Sequence, residues 1–123
     1  MNYPVDTTRQ FSMVKIKTIY VYEFIADYLD EKKTIVEQEA GVGSIKPFYE
    51  NRMVEGDPRN MVRSKIDHVK IANLERVFSG FEGGSLPPIA LKRVSTGYLV
   101  INGMHRFTMC LLYRCKEVAA KFE

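Results

Sequence analysis

Two consecutive prolines, Pro87 and Pro88, constrain this chain more than any other pair of residues. Proline gives no N–H to a ladder, so it fits a strand at its first residue or on an edge. The diproline therefore marks where Ile89-Ala90-Leu91 enters a sheet. Ser95-Thr96-Gly97 supplies turn residues, and Tyr98-Leu99-Val100-Ile101 is a short, wholly apolar run of the buried-strand kind. Asn102-Gly103-Met104-His105-Arg106 breaks that run and opens an apolar helix from Phe107 to Tyr113. Residues 86–113 thus read as strand, turn, strand, tight glycine turn and helix. A glycine, the unsatisfied N–H groups of a helix start and an imidazole–guanidinium pair make a candidate anion cradle. Both the free N–H groups and the positive end of the helix dipole favour phosphate there. The bland alternative is that His105 caps or packs at the strand–helix junction and Arg106 pairs with a surface carboxylate.

This order of elements, with Leu86-Pro87-Pro88-Ile89, an apolar strand and then Gly103-Met104-His105-Arg106 opening a helix, resembles the ParB/sulfiredoxin superfamily. In that superfamily the equivalent segment ends in G-x-H-R or a relative. The likeness covers about residues 66–123. It implies an α+β fold, a small mixed β-sheet packed with helices, here with an N-terminal strand and an extra helix. It also implies a nucleotide ligand, ATP or another NTP with Mg²⁺. Counting back from the diproline puts Lys70, Asn73 and Val77 where sulfiredoxin-like proteins carry a Lys, Ser and Thr that contact nucleotide. Lys70 matches, Asn73 is a polar substitute and Val77 departs. Lys70, Asn73, Gly103, Met104, His105 and Arg106 are then the implied nucleotide site, with His105 and Arg106 as the candidate catalytic pair.

The resemblance constrains activity unevenly. Sulfiredoxin uses a cysteine between the Gly and the His; Met104 stands there, and a thioether cannot become the required thiolate. The helix-turn-helix domain that follows in chromosome-partition ParB proteins is not expected, because the sequence closes at Glu123. What remains is phosphate chemistry: ATP hydrolysis, phosphoryl transfer to a hydroxyl acceptor (nucleic acid included), or a ParB-like nuclease. Such transfer is mainly positioning and charge neutralisation. A kinase also needs a carboxylate to orient its acceptor, and Glu50, Glu55, Asp57 and Asp67 are candidates. The competing class is a non-catalytic accessory module, of phage type in size and style, that holds nucleic acid or a protein.

The second class rests on residues 41–65, where glycines and prolines leave no hydrophobic period. Arg52, Arg59, Arg63 and Lys65 lie there beside Phe48 and Tyr49. Basic residues interleaved with aromatics can hold a nucleic-acid strand, although an exposed loop also keeps its charges simply in water. The net charge of +3 permits nucleic acid without arguing for it.

At 123 residues the chain is one domain. No apolar run approaches the roughly 20 residues that span a bilayer, and the first ten residues lack a signal pattern, so a cytoplasmic location is expected. Residues 1–10 read as a loose leader, 11–19 as a strand and 22–40 as an amphipathic helix. Asp67 is a candidate cap for a helix over 68–78, whose Ile71, Leu74 and Phe78 share one face. Strands are predicted at 88–94, 98–101 and 117–122, with a helix over 104–114. Cys110 and Cys115, five apart on or just beyond that last helix, are expected to point in different directions and stay reduced. No metal-ligand spacing is present.

Overall fold

The diproline leads into β2 (Ile89–Val94), which folds back through Ser95 and Thr96 onto β3 (Gly97–Asn102) as an antiparallel hairpin. The computed structural model describes residues 2–40, 51–53, 56–60, 65–80 and 83–123, with side chains except at 33–40. After β3 the chain crosses through α3 (Met104–Leu112) and returns as β4 (Glu117–Phe122), parallel to β2. A parallel return requires such a crossover. β1 (Ser12–Lys15) adds antiparallel to the other side of β4, giving a four-stranded mixed sheet in the order β1-β4-β2-β3. Two further helices, α1 (Glu23–Ala40) and α2 (His68–Phe78), complete a small mixed α and β architecture.

Cross-strand register explains the core. Val14 faces Val118, Ile89 faces Ala120 and Leu91 faces Val100, and all six are buried. Alternation puts these side chains on one side of the sheet. Phe107, Met109, Cys110 and Leu111 of α3 are completely buried in the same cluster. α3 touches β2, β3, α1 and α2, so it is the element on which the others converge.

The N-terminal residues depart from the loose leader expected of 1–10. Val5 bridges Leu86 in parallel, Leu86 N–H donates to Pro4 O at 2.7 Å, and Asp6 N–H donates to Leu86 O at 2.8 Å. Tyr3 is buried, its hydroxyl donating to Pro87 O at 2.6 Å. The segment is fastened to the stretch that precedes the diproline, whose backbone groups would otherwise lack partners.

The strand expected over 11–19 is also shorter. After Lys15 the chain turns through a 3-10 helix at Ile16–Thr18, closed by Thr18 Oγ1 donating to Lys15 O and Ile19 N–H to Ile16 O. The turn redirects Ile19 to bridge Tyr98.

The helix expected over 104–114 stops at Leu112. Arg114 takes the left-handed conformation, φ 56°. Cys115 N–H then bonds Cys110 O at 2.9 Å and Arg114 N–H bonds Leu111 O at 3.2 Å. This is a Schellman ending, which brings the residue after the left-handed one back against the last turn. The two cysteines are therefore neighbours, contrary to the divergence expected from a continuous helix.

Within the segment expected to be an irregular basic loop, residues 41–50, 54–55 and 61–64, including Glu50, Glu55 and Arg63, lie outside the described residues. Arg52 bridges Val21 and lays its guanidinium between Asp27 and Asp30 at 3.0 and 2.9 Å. Arg59 forks onto Asp57 and stacks 4.6 Å from the Tyr20 ring centroid. Among the described residues no helix is long and apolar enough to cross a membrane.

Candidate functional site

α2 and α3 begin side by side, and their beginnings are tied together. Asp67 caps α2: its Oδ1 accepts from Val69 N–H at 2.9 Å and Lys70 N–H at 3.2 Å. The backbone N–H of Asp67 itself donates to His105 Nε2 at 2.9 Å. An accepting Nε2 leaves the neutral imidazole its proton on Nδ1. Burial and the Lys70 charge hold the His105 pKa below its usual value, with Asp67 opposing. The bonds from Lys70 and Val69 N–H, together with nearby Lys70 and His105, hold the Asp67 carboxyl below the usual carboxylate range.

α3 starts differently. Gly103 sits at φ 95°, ψ 30°, and no side chain caps the helix. Its first intrahelical acceptance is Gly103 O from Phe107 N–H at 2.8 Å, and the N–H groups of Met104, His105 and Arg106 precede any intrahelical partner. A Cβ at Gly103 would lie 2.7 Å from Ile89 Cγ2 and 2.9 Å from Arg106 Nη2. Glycine is required twice here, by its left-handed backbone and by lack of room. The crowding comes from the protein's own Ile89 and Arg106.

Arg106 turns inward from this start. Its Nη1 donates to Pro87 O at 2.6 Å and to Pro88 O at 3.2 Å. The diproline has two backbone oxygens just before β2, and a charged donor satisfies them well. Tyr3 shares the Pro87 oxygen, and burial pushes its phenol up to about 12 despite the neighbouring guanidinium.

Between the two helix starts lies an open cleft of about 880 Å³. Every residue of the implied nucleotide site lines it: Lys70, Asn73, Gly103, Met104, His105 and Arg106. Residues 70 and 73 come from one helix, 103–106 from another, so the fold brings together groups about 30 positions apart in sequence. Val77 is not in the lining. Sequence reasoning missed Lys65 and Asn102 as polar walls and Ile66, Leu74 and Ile101 as apolar ones. Ile101 is 42% exposed at the end of an otherwise apolar strand; that exposure was invisible in the run Tyr98-Leu99-Val100-Ile101. Of the four candidate carboxylates, Asp67 lines the cleft and Asp57 is engaged elsewhere by Arg59.

Chemically, the cleft offers two ammonium groups, a helix start with unsatisfied N–H groups, and an apolar flank. Lys65, Lys70 and Arg106 outweigh Asp67 in charge, so the cleft favours an anion. His105 and Arg106 hold its walls through Nε2 and Nη1: His105 packs at the junction as the structural alternative has it, whereas Arg106 bonds the diproline carbonyls instead of the surface carboxylate expected there. Among the described residues no group of three or more His, Cys, Asp or Glu is placed to hold a metal ion. No protein-family model matches this chain, and no curated protein matches it in sequence.

Proposed function

We propose that this chain is a nucleoside-triphosphate-binding domain of the ParB/sulfiredoxin kind, and that its ligand lies in the cleft between α2 and α3. The observation that carries the reading is the uncapped start of α3 beside Lys65 and Lys70 on one cleft. In this reading the phosphates sit on the N–H groups of Met104 to Arg106, as anions do at helix starts. The two lysines neutralise the outer oxygens, and the nucleoside lies along Ile66, Leu74, Ile101 and Met104. Asn73 and Asn102 are the polar groups available to it. At about 880 Å³ the cleft has the size of small-molecule sites.

The donor set fits a nucleotide with Mg²⁺, since that ion is commonly held through phosphate oxygens and one or two carboxylates. Asp67 is the lining carboxylate, with Oδ1 occupied by the α2 cap. When bound, the ion would neutralise phosphate charge. Hydrolysis or transfer of the terminal phosphate is the finer form of the proposal, in which His105 and Arg106 act as positioning residues. Binding of nucleic acid through Arg52 and Arg59 receives less support, because both guanidinium groups are already paired with carboxylates.

The test is a thermal-shift series with ATP, CTP, GTP and UTP, with and without Mg²⁺. A ligand at 100 times its dissociation constant stabilises by about 2.7 kcal/mol, enough to be read clearly. No shift with any nucleotide at millimolar concentration sinks the proposal.

A further inference from the structure

The Schellman ending of α3 places two thiols where sequence spacing would separate them. Cys110 holds the third position from the end of the helix and Cys115 the second position beyond its cap, joined by the 2.9 Å bond from Cys115 N–H to Cys110 O. That motif characteristically brings these two side chains into contact. Here it sets the Cys110 thiol beside the Cys115 thiol, close enough for each to shift the other's ionisation. Both cysteines are free and buried. Cys115 nevertheless lies in a short connection whose flanking residues, Arg114 and Lys116, are exposed. Arg114 is also held in a conformation that L side chains rarely adopt. Opening this turn, which costs the bond from Ile16 N–H to Lys116 O at 2.9 Å, uncovers Cys115, and local opening of such connections is the least costly kind.

We infer that Cys110 and Cys115 form an oxidisable dithiol, which hydrogen peroxide converts into an intramolecular disulfide stapling the end of α3 to the start of β4. The Cys115 thiolate attacks one peroxide oxygen; an S–O bond forms, the O–O bond breaks, and the leaving oxygen takes a proton to depart as water. Cys110 then attacks the sulfenic sulfur: the S–S bond forms, the S–O bond breaks, and the Cys110 proton leaves with the hydroxyl as a second water. Two thiols lose two electrons, and the peroxide gains them. An external dithiol reverses the change by exchange. The order of attack follows from the pair itself. Hydrogen bonding from Cys110 draws the Cys115 thiol down, whereas burial pushes Cys110 up. This inference does not depend on the nucleotide reading, since the thiols lie at the opposite end of α3 from the cleft.

The experiment uses the full chain in native buffer, treated with hydrogen peroxide, quenched with iodoacetamide and weighed intact, with far-UV circular dichroism confirming the fold throughout. The expected product is a monomer about 2 Da lighter than the reduced chain that takes up no alkyl group, and dithiothreitol restores two alkylatable thiols. Cys110→Ala, which removes the resolving thiol, should stop at a sulfenic acid on Cys115 that dimedone captures. Arg114→Gly, which keeps the left-handed turn without its strain, should give the same disulfide in full yield. The inference is overturned if the oxidised parent keeps both thiols alkylatable, if it links between chains or over-oxidises without an internal disulfide, or if the disulfide forms only in denaturant.

Discussion

α2 and α3 begin on the same cleft, yet one arrives with its own anion and the other does not. At α2 the Asp67 carboxylate occupies the N–H groups of Val69 and Lys70. At α3 the cap is Gly103, which has no side chain to offer. Two helix starts with the same dipole therefore differ in what they offer: a carboxylate takes up the N–H groups of the first, and no side chain caps the second. His105 joins the two through Asp67 N–H, so the open start is held at a fixed distance from the closed one. Within G-x-H-R, Gly103 leaves the helix start without a capping side chain, while His105 and Arg106 tie that start to Asp67 and to the diproline. Under the proposed reading, the backbone is then the cradle and the two side chains hold it in place.

The largest expected effect is at Gly103. Gly103→Ala combines a left-handed backbone with a Cβ 2.7 Å from Ile89. Backbone strain and overpacking together should cost about 3–4 kcal/mol, and a thermal melt should fall by on the order of 10 °C. A melt within a degree or two of the parent would mean that the turn is not built as described.

Arg106→Ala comes next. It strands the Pro88 oxygen and leaves Pro87 O to the Tyr3 hydroxyl alone, and losing charge-assisted bonds at partly buried acceptors costs about 2–3 kcal/mol. Denaturant titration should show that loss even with no nucleotide present. Arg106→Lys should recover only part of it, because both bonds come from Nη1 and the shorter lysine side chain ends one bond short of that nitrogen. Unchanged stability, together with abolished nucleotide binding, would return Arg106 to the role of a direct phosphate clamp.

The third prediction separates the two helix starts by charge. Lys70→Ala should weaken nucleotide binding by about 0.5–1 kcal/mol, as loss of one exposed point charge does, with no change in melting temperature. Asp67→Asn keeps a capping side chain while removing the negative charge, so calorimetry without Mg²⁺ should find tighter nucleotide binding in that variant. Weaker binding without the metal would mean that the Asp67 carboxylate contacts the ligand directly rather than repelling it.

The smallest effect is a pH dependence. The folded-state pKa of His105 lies below the ordinary histidine value of 6.5, so between those two values the unfolded chain binds more protons than the folded one. The contribution to stability is therefore full above pH 6.5 and is lost as pH falls through the folded pKa. Protonation also removes the acceptor for Asp67 N–H. His105→Gln should flatten that part of the pH–stability curve; a curve unchanged by the substitution would deny His105 its place between the helices.

Much of this arrangement was legible in the residues. Asp67 before a stripe of Ile71, Leu74 and Phe78 marked α2 with its cap, and the chain adopts that helix over His68–Phe78. The diproline, the Ser95–Thr96 turn and Gly103 punctuated β2, β3 and α3 as the fold has them. What escaped was whatever depends on backbone partners or on distant ones. The oxygens that bind Arg106 belong to prolines 19 and 18 residues away, and carbonyl groups leave no trace in a side-chain pattern. Tyr3 and Val5 reach the 86–87 stretch across some 80 positions. Arg52 finds Asp27 and Asp30 only because Val21 and Arg52 form a bridge. The pairing of Cys110 with Cys115 was hidden because it turns on Arg114 adopting the left-handed conformation usually left to glycine.

The most direct measurement is a two-dimensional amide NMR titration of the ¹⁵N-labelled chain with MgATP. The account predicts that the amide signals of Met104, His105 and Arg106 move most and that those of Val69 and Lys70, already bonded to Asp67, move less. Largest shifts at Val69 and Lys70, or no shifts around the cleft at saturating nucleotide, would contradict it.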